Sequence, residues 1–164
     1  MPEPEIAMND LGRLFWWNVT TLLLTILHHA YGASIYQDAF RLHVVFLAIP
    51  FLLILVVAKR GMMANQNNMN NSISKWVFIL LSAVVILAIG VYEGGYNHLV
   101  KNVLYFAGVS RENLDDLYPV NYELPNDFIF ELTGILQFIS GAVGVYYGYS
   151  AFRNSSGNAF NTLH

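Results

Sequence analysis

Residues 40–58 read FRLHVVFLAIPFLLILVVA, and Lys59-Arg60 follow at once. This almost unbroken apolar run is close to the roughly 20 residues that a helix needs to cross a hydrocarbon core, and a basic pair stops it. Pro50 stands near its centre. A proline there removes one helix hydrogen bond and predicts a kink, with the freed carbonyl satisfied inside a bundle.

Three other stretches share this character. Arg13 to Tyr31 carries Trp16 and Trp17 as an aromatic belt at its start. Residues 76–92, WVFILLSAVVILAIGVY, run up to a Glu93-Gly94-Gly95 break. Residues 128–149, FIFELTGILQFISGAVGVYYGY, close on Tyr146, Tyr147 and Tyr149. The expectation is an all-α integral membrane protein, a four-transmembrane-helix bundle. A segment at 1–12 precedes a membrane domain at 13–150, with spans at 13–31, 40–58, 76–92 and 128–149, and a tail follows at 151–164.

Composition agrees. Only 12% of the 164 residues are charged and 55% are hydrophobic, whereas soluble domains carry about 25% charged residues. The chain has no cysteine, which excludes disulfides, thiolate zinc sites, covalent c-type haem and cysteine-ligated iron–sulfur clusters. A net charge of −3 gives no basic face for nucleic acid. The acidic start, MPEPEIAMND, lacks the positive region of a cleaved signal, so the first span is expected to remain as an anchor.

With four spans, Arg13, Lys59, Arg60, Lys75 and Arg153 share one side with both termini, against Arg41, Lys101 and Arg111 on the other. That bias predicts both termini in the cytoplasm of a bacterial inner (plasma) membrane.

The connections read differently from one another. GMMANQNNMNNSISK at 61–75 reads as a flexible polar linker. Its Met62, Met63 and Met69 offer soft ligands for copper(I), a weaker reading than a plain connector. The tail, RNSSGNAFNTLH, reads as a frayed end that leaves His164 aside. Residues 93–127 form a structured outer lid. Apolar positions 99, 100, 103, 104, 106 and 107 predict a short helix on the membrane surface. Ser110 caps a second short helix with Pro119 beyond its end, and Asn126 or Asp127 caps the fourth span.

The topology gathers His28, His29, Arg41, His43, Glu93, His98, Asp127 and Glu131 at the outer end of the bundle. Asn18, Thr21, Thr25, His28 and Gly32 make one stripe along the first span, with His29 about 100° around the helix. Thr133, Gln137, Ser140, Gly144 and Gly148 make another along the fourth, its small residues allowing close helix approach. Ser82, Gly90 and Glu93 follow a similar track on the third. Glu131 stands about one turn inside the membrane and requires a partner; Arg41 or a metal ion is expected.

Imidazole and carboxylate suit zinc, iron or copper. The expected metal ligands are His28 or His29 with His43, completed by Glu93, His98 or Glu131. The alternative is b-type haem between two facing histidines, or a metal-dependent membrane redox protein. Expected partners are membrane lipids and other membrane subunits or a second copy, which would make the chain an accessory subunit of a larger complex. Whether it is an enzyme is open. No HExxH or GxSxG motif is present, the histidines are too few for a di-iron desaturase, and no internal repeat marks a transporter.

Overall fold

The computed structural model describes residues 4–64, 69–118 and 125–161. Every regular element among them is helical. Helix α1 (Pro4–Ile35) leads through a 3₁₀ turn at Ala39–Arg41 into α2 (Leu42–Ala64). One continuous rod follows: α3 (Met69–Val84), a π-helical segment (Val85–Val100) and α4 (Lys101–Phe106). Two more helices, α5 (Arg111–Leu117) and α6 (Phe128–Asn161), complete the chain.

Among the described residues, three helical stretches are long and apolar enough to cross a membrane: Ala39–Ala64, Ile73–Phe106 and Phe128–Arg153. They correspond to the expected second, third and fourth spans. Helix α1 falls outside this group for a physical reason. Its Asn18, Thr21, Thr25, His28 and His29 are all buried against the rest of the bundle, and they dilute its apolar content. The apolar remainder faces outward on every long helix, with Leu27, Phe46, Val57, Leu80 and Phe152 all exposed. In water such a surface would drive association.

Helix α6 packs antiparallel along α1 and along the π segment, while α2 packs on α1 and α3. Glycine decides how closely. A Cβ on Gly90 would meet the Gly141 Cα at 2.9 Å, and one on Gly94 would run into the backbone of Gly134 and Phe138. The expected small-residue stripe lies beside these contacts on α6, where Gly144 meets Ile86 and Leu14, and Gly148 meets Leu14. The apolar core joins Leu14 and Leu22 to Ala48, Leu55, Ala58, Phe78, Val85 and Ile86.

Several boundaries differ from the sequence reading. The helix does not stop at Glu93-Gly94-Gly95: none of these residues has a positive φ, and the rod continues through them. The glycines serve close approach to α6, not a turn. The rod ends instead at Gly108, with φ 83°. There Gly108 N–H donates to the Tyr105 carbonyl and Val109 N–H to that of Leu104, the paired bonds of a left-handed helix terminator. The lid therefore begins after Phe106, and no separate surface helix starts at 99. Most of the 61–75 linker is helical, and Gly61 packs against Ser74. The tail stays helical to Asn161. Helix α2 runs through an exposed Pro50.

Other expectations hold. Ser110 caps α5, and Asp127 Oδ1 accepts from the Phe130 N–H at the start of α6. Tyr96 Oη donates to the Leu117 carbonyl, and Tyr118 Oη donates to that of Tyr96, so the lid helix is clasped to the rod. Pro119 and His164 lie outside the described residues, as does the side chain of Met69.

Candidate metal centre

The π winding does what an α-helix cannot. Its i, i+5 repeat stacks Glu93 under His98, and both side chains turn toward α1 and α6. His98 Nε2 lies 3.7 Å from Glu93 Oε1, and His29 Nε2 lies 3.8 Å from the same oxygen. His28, His29 and Glu93 each offer a ligand atom, all three within 4.8 Å of one another, so this group can hold a metal ion. Ligand atoms around a tetrahedral ion with bonds of roughly 2.0–2.1 Å stand about 3.3 Å apart. The observed separations need to shrink only by a few tenths of an ångström up to about 1.5 Å for such an ion to fit.

Three of the potential ligands, His28, His98 and Glu93, are held from behind by an atom that would not bind, whereas the buried Nδ1 of His29 has no partner. Thr133 Oγ1 lies within 2.9 Å of the Ile129 carbonyl and 3.0 Å of the Phe130 carbonyl, which claim its single proton. It therefore accepts from His28 Nδ1–H at 2.9 Å. That fixes the tautomer and leaves a lone pair on His28 Nε2, which is buried and has no partner. His98 Nδ1–H donates to Glu131 Oε2 at 2.8 Å, which leaves Nε2 toward Glu93. Asn97 Nδ2 donates to Glu93 Oε2 at 2.8 Å, which leaves Oε1 toward the histidines. Metal-binding imidazoles are commonly oriented by hydrogen bonds of this kind.

Glu131 stands behind the cluster. Besides His98, its carboxylate accepts from Lys101 Nζ at 2.9 Å and from Asn102 Nδ2 at 2.8 Å. With both oxygens engaged, it orients His98 and counters the Lys101 charge, so it is not placed as a ligand. The expected partner, Arg41, pairs with Asp38 at 3.4 Å and lies over the rings of Tyr36 and Phe130. His43 is also set apart. It is exposed, its ring packs on Phe40, and Nδ1–H donates to the Phe40 carbonyl. It sits in the first turn of α2 and points back along its own chain, which sequence position alone does not reveal.

Ring packing bears on the haem expectation. His28 meets His98 edge-to-face at 4.6 Å and His29 at 5.1 Å, and it stacks on Phe130 at 4.1 Å. Imidazoles in direct contact leave no slot for a macrocycle between them. Glycine again permits the packing, because a Cβ on Gly134 would overlap the His98 ring and one on Gly32 would crowd Phe130.

No family model, curated protein or solved structure matches the chain. The site therefore stands on its own geometry.

Sequence reasoning missed Asn97, Lys101 and Asn102. A signal was present: Glu93, Asn97-His98 and Lys101-Asn102 recur every four to five residues through apolar sequence. That repeat is wider than 3.6 and marks the wide winding itself.

Proposed function

We propose that this chain is a four-helix membrane protein that holds one divalent transition-metal ion near the outer end of its bundle. His28, His29 and Glu93 are the ligands, and His98 completes the set. The observation that carries this reading is the buried, unpartnered His28 Nε2, fixed as a lone pair by Thr133, in a ring that packs on two more imidazoles and is grouped with the Glu93 carboxylate. An imidazole-rich set with one carboxylate suits zinc, iron(II) or copper(II). The membrane placement rests on the three apolar helices, with α1 as the fourth span because its polar stripe is turned inward. Both termini belong in the cytoplasm, following the basic residues.

Elemental analysis of the purified protein, with an optical spectrum, tests this. The expected result is one ion per chain and no Soret band. His28→Ala and Glu93→Ala lose the ion, whereas His43→Ala keeps it. Full retention in both His28→Ala and Glu93→Ala refutes the site.

The role we assign is that of a small subunit in a larger membrane assembly. The exposed apolar faces of α2 and α6, which include Phe46, Val57, Tyr146 and Phe152, support contact with lipid or neighbouring helices. Native electrophoresis after mild detergent extraction reads this directly; a lone monomer refutes it.

A further inference from the structure

The seam between α1 and α6 contains more polar groups than helix packing requires. Asp10, Leu14, Asn18, Thr21, Thr25 and His28 lie in one stripe on α1, and every one is buried. From Asp10 to His28 the stripe covers about 27 Å at 1.5 Å per residue. A hydrocarbon core is about 30 Å thick. All members but Leu14 are polar.

The partners of this stripe are polar as well. At the outer end His28 meets Thr133. Farther along, Thr21 and Ser140 share a hydrogen bond at 2.8 Å, and Asn18 Nδ2 donates to Ser82 Oγ at 2.9 Å. At the far end Ser150 Oγ donates to Asp10 at 2.6 Å. Side chains that only hold helices together would be paired throughout. Here Gln137 is fully buried, and neither its amide nitrogen nor its amide oxygen has a partner. Asn18 is 1% exposed, and its Oδ1 is unpartnered too. Buried polar atoms in this condition call for water or a passing ion, and polar residues inside a membrane commonly mark proton routes.

We propose that this seam is a proton path through the bundle, closed at Leu14. Leu14 packs against Gly144 and Gly148 and separates Asn18 and Ser82 from Asp10 and Ser150. Side-chain hydrogen bonds of 2.8–2.9 Å, hydroxyl to hydroxyl and amide to hydroxyl, leave no width for a hydrated metal or alkali cation. A proton needs no width. Each hop breaks one O–H bond and forms another on the next hydroxyl or water oxygen, with Thr21 and Ser140 turning their hydroxyls from the Trp17 and Gln137 carbonyls. The file recovers its starting composition once its hydroxyls and waters have turned back. A pH difference across the membrane supplies the driving force. The proposal does not depend on the metal site, because no group between Asp10 and Thr133 changes charge.

The test uses the full chain in lipid vesicles loaded with a pH-sensitive dye. Leu14→Asn and Leu14→Ala are each expected to raise the proton flux at least tenfold over the native chain, with potassium flux unchanged. Adding Gln137→Leu to Leu14→Asn returns the flux to the native rate. An unchanged flux in a folded, monodisperse Leu14 variant overturns the proposal. So does a parallel rise in potassium flux, or a leak that survives Gln137→Leu. In the native chain, NMR cross-peaks between water and the Gln137 and Asn18 side-chain amides are expected, and their absence overturns it independently of any variant.

Discussion

Glu131→Gln separates what a carboxylate does behind an imidazole from what it does for a buried cation. The native carboxylate accepts from His98, Lys101 and Asn102. Glutamine keeps the shape but has one acceptor oxygen and one NH₂ donor. In either orientation, at least one N–H that was bonded now faces another donor. Two costs follow. Lys101, 4% exposed, loses the Glu131 carboxylate, and breaking a buried ion pair costs about 3–5 kcal/mol of stability. Loss of the outer-shell acceptor costs 10–100-fold in metal affinity, or about 1.4–2.7 kcal/mol. The first cost appears in thermal unfolding in detergent, the second in a zinc titration against a chromophoric chelator. The double variant Glu131→Gln/Lys101→Met removes the ammonium that the carboxylate had countered, so stability is expected to return in part while the affinity loss remains. If the double variant regains native zinc affinity as well, Glu131 only neutralises Lys101, and the orienting role assigned to it is wrong.

Four further outcomes follow from the same contacts. Gly134→Ala places a methyl where the His98 ring sits, so metal affinity should fall at least tenfold while the far end of the bundle keeps its native hydrogen-exchange protection. Asp127→Ala removes the acceptor that caps α6 and receives Tyr31 Oη, and should lower stability by about 1–2 kcal/mol with metal content unchanged. Chelation of the bound ion should lower the unfolding temperature, because zinc at 1,000 times its dissociation constant stabilises the folded state by about 4 kcal/mol; an unshifted melt would show that the ion is not coupled to the fold. Finally, His28→Leu/Thr133→Val replaces a polar pair by apolar side chains, and is expected to fold with near-native stability yet to lose the ion.

The parts of this protein that were legible in sequence are those set by helical periodicity. The stripes on α1 and α6 could be read as faces, and the structure brings those faces together: His28 with Thr133, and Thr21 with Ser140. The outer clustering of His28, His29, Glu93, His98 and Glu131 followed from counting spans. What escaped was any feature that depends on winding or side-chain direction. Glu93-Gly94-Gly95 resembles a helix stop because glycine usually punctuates, but these glycines lie where α6 presses on the backbone, and the rod continues. A 3.6 period would set Glu93 and His98, five apart, on different faces, and the π winding is what brings them together. His43 falls at the same end of the bundle by span counting, but it is exposed and its ring bonds and packs back on Phe40.

Stability alone is a poor explanation for this cluster. Apolar residues of similar volume often replace a buried ionic network without loss, and sometimes with a gain. Three imidazoles, two carboxylates and an ammonium meet at one level of the bundle, and Gly134 leaves room for one of the rings. The polarity is also ordered. His28, His98 and Glu93 each use one atom for support and turn the other inward, and the inward atoms are those left without a close hydrogen bond. A network selected for cohesion would close these last contacts among its own members. This one closes the contacts behind His28, His98 and Glu93 and leaves the front open, which is the arrangement that an ion would complete.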